Sequence, residues 1–369
     1  MKILCVHQSA ELYGSDRSFA QSIVVLRQTY PTAIIDVILP NDGPLISLLE
    51  PHVNSIRYEN LGSFARKEIR RPIKFLSKLA KTSYRAMINT YKYDFVYVNT
   101  MVIFGYLIGS IFGRKIINHV REIPSSKLEG YVFSIIFALN RSLLVFNSYY
   151  TKNSFPFLLN KTNVIHNGVK APVSNPIVEH DVLRLLVIGR INGWKGQSTA
   201  VDAVKYLIDK GHNLHLDIVG DTAKGQQFYK LELQKRISKL ALSDFVKIHS
   251  FSSDPQAFYN HCDVVLVPSI HPEPFGRVAI EGMASARAVV ASNHGGLTEI
   301  IGNNQGGDLF IPGDSLDLAS KVEKYFDFSY LSSQSLVALG RFEAKFSQEI
   351  YEQKLGAYFK GTVGYYVKS

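Results

Sequence analysis

The stretch DVVLVPSIHPEPFGRVAIEGMASARAVVASN, residues 263–293, contains one complete repeat of the fold. It opens on an apolar run, DVVLVPS, and closes on another, AVVASN. Strands apolar along their whole length are covered on both faces, and a helix between two of them makes a parallel crossover. Between the runs lie a loop holding Glu273 and a helix that Gly276 opens. Glu281 falls about one and a half turns into that helix. Two carboxylates placed this way can address different parts of one extended ligand, with the helix start between them.

The same alternation recurs along the chain. KILCVH, AIIDVILP, FVYVNT, KIINHV, SLLVFNS and NVIHNG read as strands of the first half. LRLLVIGR, LHLDIVGD, FVKIHSF, DVVLVPS, AVVASN and DLFIP read as strands of the second. Strands separated by helix-length segments give an α/β fold of two doubly wound, Rossmann-like domains. A length of 369 residues with 46% hydrophobic content is ample for two cores. KAPVSNPIVEHD (170–181), with two prolines and no periodicity, is the linker candidate. The expected division is 1–172, 173–345, and a helical tail 346–369 that packs back on the N-terminal domain. In open α/β sheets, ligands bind beyond the carboxyl ends of the strands. Gly14, Asp16, His119, Arg190, Asp221 and Glu273 all fall at such ends, which implies a cleft between two facing domains.

Charge is unevenly distributed. Residues 1–175 carry 21 Lys and Arg against 10 Asp and Glu, whereas residues 176–369 carry 20 against 21. The basic excess of the first half suits an anionic partner: nucleic acid, phospholipid or a phosphorylated substrate. Cys5 and Cys262 each sit in an apolar run, so they read as buried small hydrophobes in a reducing cytoplasm. MKILCVH is too short for a secretory signal. The runs MVIFGYLIGSIFG (101–113) and YVFSIIFALNRSLLVF (131–146) are too short or too interrupted for a bilayer span of roughly 20 residues. No transmembrane segment is expected.

GRINGWKG (189–196) ends the first strand of the second half. Arg190 and Lys195 flank a glycine-containing loop, and a helix follows from about Gly196. Two cations beside a helix start suit an anion such as a diphosphate. Read without a ligand, the same loop is a solvated turn with two incidental charges. Carboxylates such as Glu273 and Glu281 accept hydrogen bonds from vicinal hydroxyls, so sugars are natural partners. A nucleotide-sugar has hydroxyls at both ends and phosphates in the middle.

At this point the chain resembles the retaining glycosyltransferases of family 4, which have the two-domain GT-B fold. EPFGRVAIE (273–281) is similar to their Glu-x7-Glu motif with Pro-Phe-Gly after the first Glu. GR…KG upstream, the glycine loop in ELYGSDRSFA (11–20), HNGV (166–169) and the tail FSQEIYEQKLGAYF (346–359) also correspond in place. The resemblance implies an acceptor-side first domain and a donor-binding second domain. It assigns Arg190 and Lys195 to the donor diphosphate, Glu281 to the ribose and Glu273 to the donor sugar, with assistance from the backbone around Phe275 and Gly276. Gly14 then lets the first-domain loop approach the phosphates. His119 lies near the donor sugar. The first-domain loop reads Tyr-Gly-Ser-Asp, with one glycine of the usual pair. No Asp-x-Asp motif occurs, in keeping with cations rather than a metal at the diphosphate. No metal and no cofactor are expected, the UDP- or GDP-linked sugar being a co-substrate.

Two segments remain open to more than one reading. A histidine at a strand end, such as His119, is often structural, and Arg121 and Glu122 in HVRE could form a surface ion pair. ARKEIRRPIKFLSKLAKTSYRAM (65–87) carries Arg66, Lys67, Arg70, Arg71, Lys74 and Lys78 on a helix. Its apolar face is expected at Ile69, Ile73, Leu76 and Ala80. Such a helix can lie in an anionic membrane interface or pack on the domain core. A nucleic-acid groove lacks an accompanying aromatic platform. The expected function is transfer of a hexose-type sugar to a glycan or lipid-linked glycan in capsule, O-antigen or other surface-polysaccharide assembly. The expected location is cytoplasmic, peripheral on the inner face of the cell membrane. The alternatives are a nucleotide-sugar epimerase on the same fold, or a non-catalytic glycan-binding partner.

Overall fold

The computed structural model describes residues 1–61, 72–112, 116–140, 142–303 and 305–367. The chain separates into two compact units, residues 1–167 with 351–369, and residues 168–350. Both are Rossmann-like α/β units built on parallel sheets.

Among the described residues the first unit has seven strands. They are β1 Lys2–Val6, β2 Ile34–Leu39, β3 Ser55–Tyr58, β4 Phe95–Val98, β5 Ile116–Val120, β6 Leu143–Phe146 and β7 Thr162–Val164, in the order β3-β2-β1-β4-β5-β6-β7. Register follows the apolar runs: Cys5 lies beside Val37 on one side and Tyr97 on the other. Side chains alternate between two buried layers, as a sheet covered on both faces requires. Ile3, Cys5, Phe95 and Tyr97 pack with Phe19 and Ile23 of the helix Gly14–Thr29. Tyr351, Leu355 and Phe359 of the helix Gln348–Val367 join the same layer. Leu4, Val6, Val96 and Val98 point the other way, onto Ala86, Ile103 and Tyr106. β3 has no counterpart among the expected strands: SIRY is four residues at a sheet edge, half to fully exposed, with no apolar run to mark it.

The basic helix runs Pro72–Lys92. Arg66, Lys67, Arg70 and Arg71, with Ile69, lie outside the described residues, while Lys74 and Lys78 belong to the helix. Ile73 lies in the helix but its side chain is outside the description, and the packed side is not the one marked by Leu76 and Ala80. Thr82, Ala86, Asn89 and Thr90 are buried, whereas Leu76 is 61% exposed and Ala80 is also exposed. The cause is a close approach by the short helix Phe104–Gly109. A Cβ on Gly105 would lie 2.4 Å from Thr82 Oγ1, and one on Gly109 would lie 2.3 Å from the Ser83 carbonyl oxygen. Only the small-residue side of the basic helix fits such a contact, and Leu76, Tyr84 and Tyr91 are left exposed.

The second unit has six strands among the described residues. They are β8 Leu183–Ile188, β9 Leu214–Val219, β10 Val246–His249, β11 Val264–Val267, β12 Ala288–Ser292 and β13 Gly307–Phe310, in the order β10-β9-β8-β11-β12-β13. The chain winds outward from β8 in both directions, so the loops after β8 and β11 are neighbours at the point where the winding reverses. Among the described residues no helix is long and apolar enough to cross a membrane. MVIFGYLIGSIFG supplies the helix Phe104–Gly109, and YVFSIIFALNRSLLVF divides into the helix Lys127–Asn140 and β6. Cys5 and Cys262 are buried thiols, and burial pushes both well above the usual thiol range.

Candidate active site

In the second unit, the loop after β8 is shaped by its own side chains. Asn192 Oδ1 accepts from the backbone N–H of Trp194 at 3.1 Å and of Lys195 at 3.0 Å, a local turn that competes with regular structure. Gly196 has φ +73°, and a Cβ there would sit 1.7 Å from the Pro268 carbonyl oxygen. Only glycine allows the helix Gln197–Asp209 to start so close to the end of β11. Gln197 Nε2 donates to the Arg190 carbonyl at 3.1 Å, which ties the start of the loop to its end. Lys195 Nζ lies 4.6 Å above the Trp194 ring and 2.7 Å from Glu273 Oε1.

Glu273 comes from the loop after β11 and is 7% exposed. Its Oε1 also accepts from Ser269 Oγ. Burial by itself would raise the carboxyl pKa. The Lys195 ammonium, hydrogen bonds from Lys195 and Ser269, and the charge of His294 outweigh it and hold Glu273 below the ordinary carboxylate value. Gly276 follows with φ +117° and caps the helix Arg277–Ala284. A Cβ there would lie 2.5 Å from Leu297 Cδ2. The Phe275 ring is core, edge-on to Phe346 at 6.1 Å, so this residue offers a ligand its backbone alone. Glu281 is held separately: Arg277 Nε donates to Oε1 at 2.8 Å, and the Tyr259 hydroxyl donates to Oε2 at 3.0 Å.

Lys195 and Glu273 are thus in direct contact, Arg190 opens the loop that carries Lys195, and Glu281 stands one helical turn beyond Arg277 with partners of its own. Sequence reading missed Ser269, Tyr259, Arg277 and His294. Arg277 had a signal in its i, i+4 spacing to Glu281, and His294 had one in its place between a strand end and Gly295-Gly296. Ser269 and Tyr259 had none, since their roles depend on contacts formed on folding. Asp221, one of the strand-end residues, is bound to Lys230 Nζ at 2.6 Å and the Phe251 N–H at 2.8 Å, a structural use.

In the first unit, His119 is fully buried at the end of β5. Its Nδ1 lies 2.7 Å from the Tyr97 hydroxyl and 3.2 Å from Arg121 Nη2. A guanidinium can only donate, so Nδ1 is an acceptor and the proton sits on Nε2. Nε2 has no hydrogen-bond partner among the described residues. Burial, then the Arg121 charge, lowers the His119 pKa well below its ordinary value, so the ring is neutral at pH 7.

Arg121 and Glu122 do not form the surface ion pair that HVRE allowed. The Arg121 side chain is buried and donates to Asn99 Oδ1 at 2.7 Å and to Asn167 Oδ1, with Tyr351 OH at 3.4 Å. Glu122 accepts from the Thr100 hydroxyl at 2.6 Å and the Met101 N–H at 3.1 Å. The crowded strand ends offer each of them neutral partners instead. Gly14 is the first residue of the helix Gly14–Thr29. Asp16 closes the start of that helix, accepting from the Tyr13 N–H at 2.9 Å and pairing with His7 Nε2 at 2.8 Å. Among the described residues, no group of three or more His, Cys, Asp or Glu side chains is arranged to hold a metal ion.

Residues 175–334 match the model of a family described as glycosyl transferases group 1. The chain is 35% identical over 128 residues to a lipopolysaccharide 1,2-N-acetylglucosaminetransferase of Salmonella typhimurium, covering 34% of each protein. It is 30% identical over 174 residues to the capsular polysaccharide biosynthesis glycosyltransferase CapM of Staphylococcus aureus, covering 46% of this chain and 43% of that one. The chain therefore spans less than half the length of these two curated relatives. Anabaena Alr3699/HepE, solved in complex with UDP-glucose, is similar over 98% of this chain and 100% of its own, with TM-score 0.79 and 26% identity. WaaG, a glycosyltransferase involved in lipopolysaccharide biosynthesis, superposes with TM-score 0.69 at 14% identity over 96% and 98%, a likeness of fold. The two Rossmann-like units are those of the GT-B fold.

Proposed function

We propose that the chain is a retaining, metal-independent glycosyltransferase of the family 4 type. It takes a hexose-type sugar from a UDP- or GDP-linked donor and passes it to a glycan or lipid-linked glycan in surface-polysaccharide assembly. The observation that carries this reading is the Lys195–Glu273 contact of 2.7 Å between the loops after β8 and β11. A cation for a diphosphate and a carboxylate for sugar hydroxyls stand side by side at the winding reversal, where ligands of such sheets bind. The matched family and the UDP-glucose complex of HepE support the same assignment.

In this reading Arg190 and Lys195 neutralise the charge that develops on the leaving diphosphate. Glu273 accepts from a donor-sugar hydroxyl, Glu281 from the ribose, and the neutral His119 donates from Nε2 to the sugar. The bond from the anomeric carbon to the diphosphate oxygen breaks, and a bond to the acceptor oxygen forms on the same face. The acceptor proton passes to the departing phosphate oxygen, and no covalent enzyme intermediate is required. Membrane association is part of the proposal. Leu76 and Tyr84, 61% and 62% exposed, share the outer side of the basic helix near Lys81 and Arg85. Exposed apolar side chains beside cations suit an anionic lipid interface.

A thermal-shift screen against nucleotide-sugars tests the donor. A ligand at 100 times its Kd stabilises by about 2.7 kcal/mol. Lys195→Ala should then lower turnover at saturating donor on the order of 10²–10³-fold. A folded Lys195→Ala with undiminished turnover, or a screen with no stabilising nucleotide-sugar, would refute the reading.

A further inference from the structure

We propose that His294 is a hydrogen-bonding contact to the donor sugar, beside the hydroxyl that Glu273 accepts. The inference rests on the donor reading of the Lys195–Glu273 site and adds a residue that chooses among sugars.

Both ring nitrogens of His294 are buried, and neither has a hydrogen-bond partner among the described residues. An imidazole carries at least one N–H whatever its protonation state, so an unoccupied ring in such a place leaves a buried donor unpaired. Other histidines of this unit find partners within the fold. His180 pairs with Asp263 at 3.1 Å, His212 with Glu323 at 2.9 Å and His249 with Asp217 at 2.6 Å. His294 departs from the pattern of these three.

Its position explains what it is left open for. His294 follows β12, which pairs with β11, so it emerges at the same sheet end as Glu273. The two loops are pressed together. Gly296 N–H donates to the Glu273 carbonyl at 2.8 Å. A Cβ on Gly295 would lie 2.4 Å from that carbonyl oxygen, and one on Gly296 would lie 2.6 Å from Phe275 Cα. Two consecutive glycines thus allow the backbone after His294 to lie on the backbone of Glu273. His294 is among the groups that lower the Glu273 carboxyl, yet its ring makes no hydrogen bond to that carboxylate.

The donors to that carboxylate, Lys195 and Ser269, both end on Oε1. This leaves Oε2 without a side-chain donor among the described residues, and the unpaired imidazole follows the neighbouring strand at the same sheet end. Two such groups match two neighbouring hydroxyls of a pyranose, one donating to the carboxylate and the next bonding to the ring nitrogen. A hydroxyl of inverted configuration would miss one of them and leave the histidine unpaired, which is the stronger form of discrimination. A diphosphate oxygen could also accept from the imidazole, and the test separates the two.

His294→Phe keeps a ring of similar size and removes both nitrogens. Binding is measured by calorimetry for wild type and variant with UDP, GDP, UDP-glucose, UDP-N-acetylglucosamine and GDP-mannose. Free nucleotide should bind both proteins within about twofold. The nucleotide-sugar that wild type prefers should bind the variant about tenfold more weakly, the loss of one hydrogen bond. His294→Gln should recover part of that affinity. Equal weakening of free nucleotide and nucleotide-sugar would move His294 to the diphosphate and overturn the proposal, as would unchanged affinity for both. A wild type that binds none of the five would remove the donor reading, and this inference with it. If His294→Phe does not fold by its thermal transition, His294→Ala is measured against the same ligands with the same expected outcomes.

Discussion

Replacing Lys195 by Met tests the physics of the site apart from catalysis. The two side chains are 20% and 9% exposed, and their polar atoms are 2.7 Å apart. Removing the ammonium leaves the Glu273 carboxylate buried with Ser269 as its remaining side-chain donor. Breaking a buried pair from one side costs about 3–5 kcal/mol, and the partial exposure of Lys195 points to the lower end, about 3 kcal/mol. In a unit of about 180 residues, 1 kcal/mol moves the midpoint by about 2–4 °C, so the second unit should melt about 6–12 °C lower. Lys195→Met with Glu273→Gln removes both charges, and should be more stable than the sum of the single changes by about 2 kcal/mol.

The pH dependence has a definite sign. In the wild type the folded pKa of Glu273 is depressed, so its contribution is present above the unfolded carboxyl value and lost as pH falls through the folded one. In Lys195→Met, burial without the cation raises that pKa, so protonation on acidification relieves the variant. The stability gap should be widest at pH 7 and narrow steadily towards pH 4. Urea denaturation followed by far-UV circular dichroism between pH 4 and 8 measures it. A gap independent of pH, together with additive single and double changes, would show that the two groups do not share a low-dielectric site.

Transfer should persist in EDTA; complete loss that Mg²⁺ or Mn²⁺ restores would move the diphosphate from the cations to a metal. Reversing Arg70, Arg71, Lys74 and Lys78 to Glu should abolish co-sedimentation with anionic vesicles, each charge contributing about 1 kcal/mol, and high salt should act likewise. Vesicle binding unchanged by the reversal would end the membrane reading. Gly196→Ala should destabilise the second unit by more than the ~1 kcal/mol of an ordinary helix-start change, because its Cβ would lie 1.7 Å from the Pro268 carbonyl oxygen at φ +73°; a wild-type midpoint would mean that the loop has another route.

Much of the architecture was legible in local pattern. Apolar runs such as DVVLVPS and LRLLVIGR became β11 and β8 because a strand covered on both faces admits few polar residues. The helix starts after Gly196 and Gly276 were legible for the same local reason. β3 was not, since an edge strand with one exposed face carries no such mark. Which side of the helix Pro72–Lys92 packs was left open, because periodicity finds an apolar face without naming its neighbour. Gly105 and Gly109, on another helix, selected the small-residue face instead.

The sequence alone determined the two doubly wound units and the types of residue at their strand ends, because backbone periodicity and turn chemistry are properties of short segments. The tertiary structure decided which of those residues meet. Lys195 and Glu273 are 78 positions apart and touch only because β8 and β11 are neighbours in the sheet. His119 keeps its proton on Nε2 because Tyr97 and Arg121 converge on its other nitrogen. His294, without a hydrogen-bond partner among the described residues, is brought near Glu273 because two glycines let the loops lie together. Electrostatics and hydrogen bonding act over a few ångströms of space, and those distances are set by strand order and close packing, which no single segment encodes.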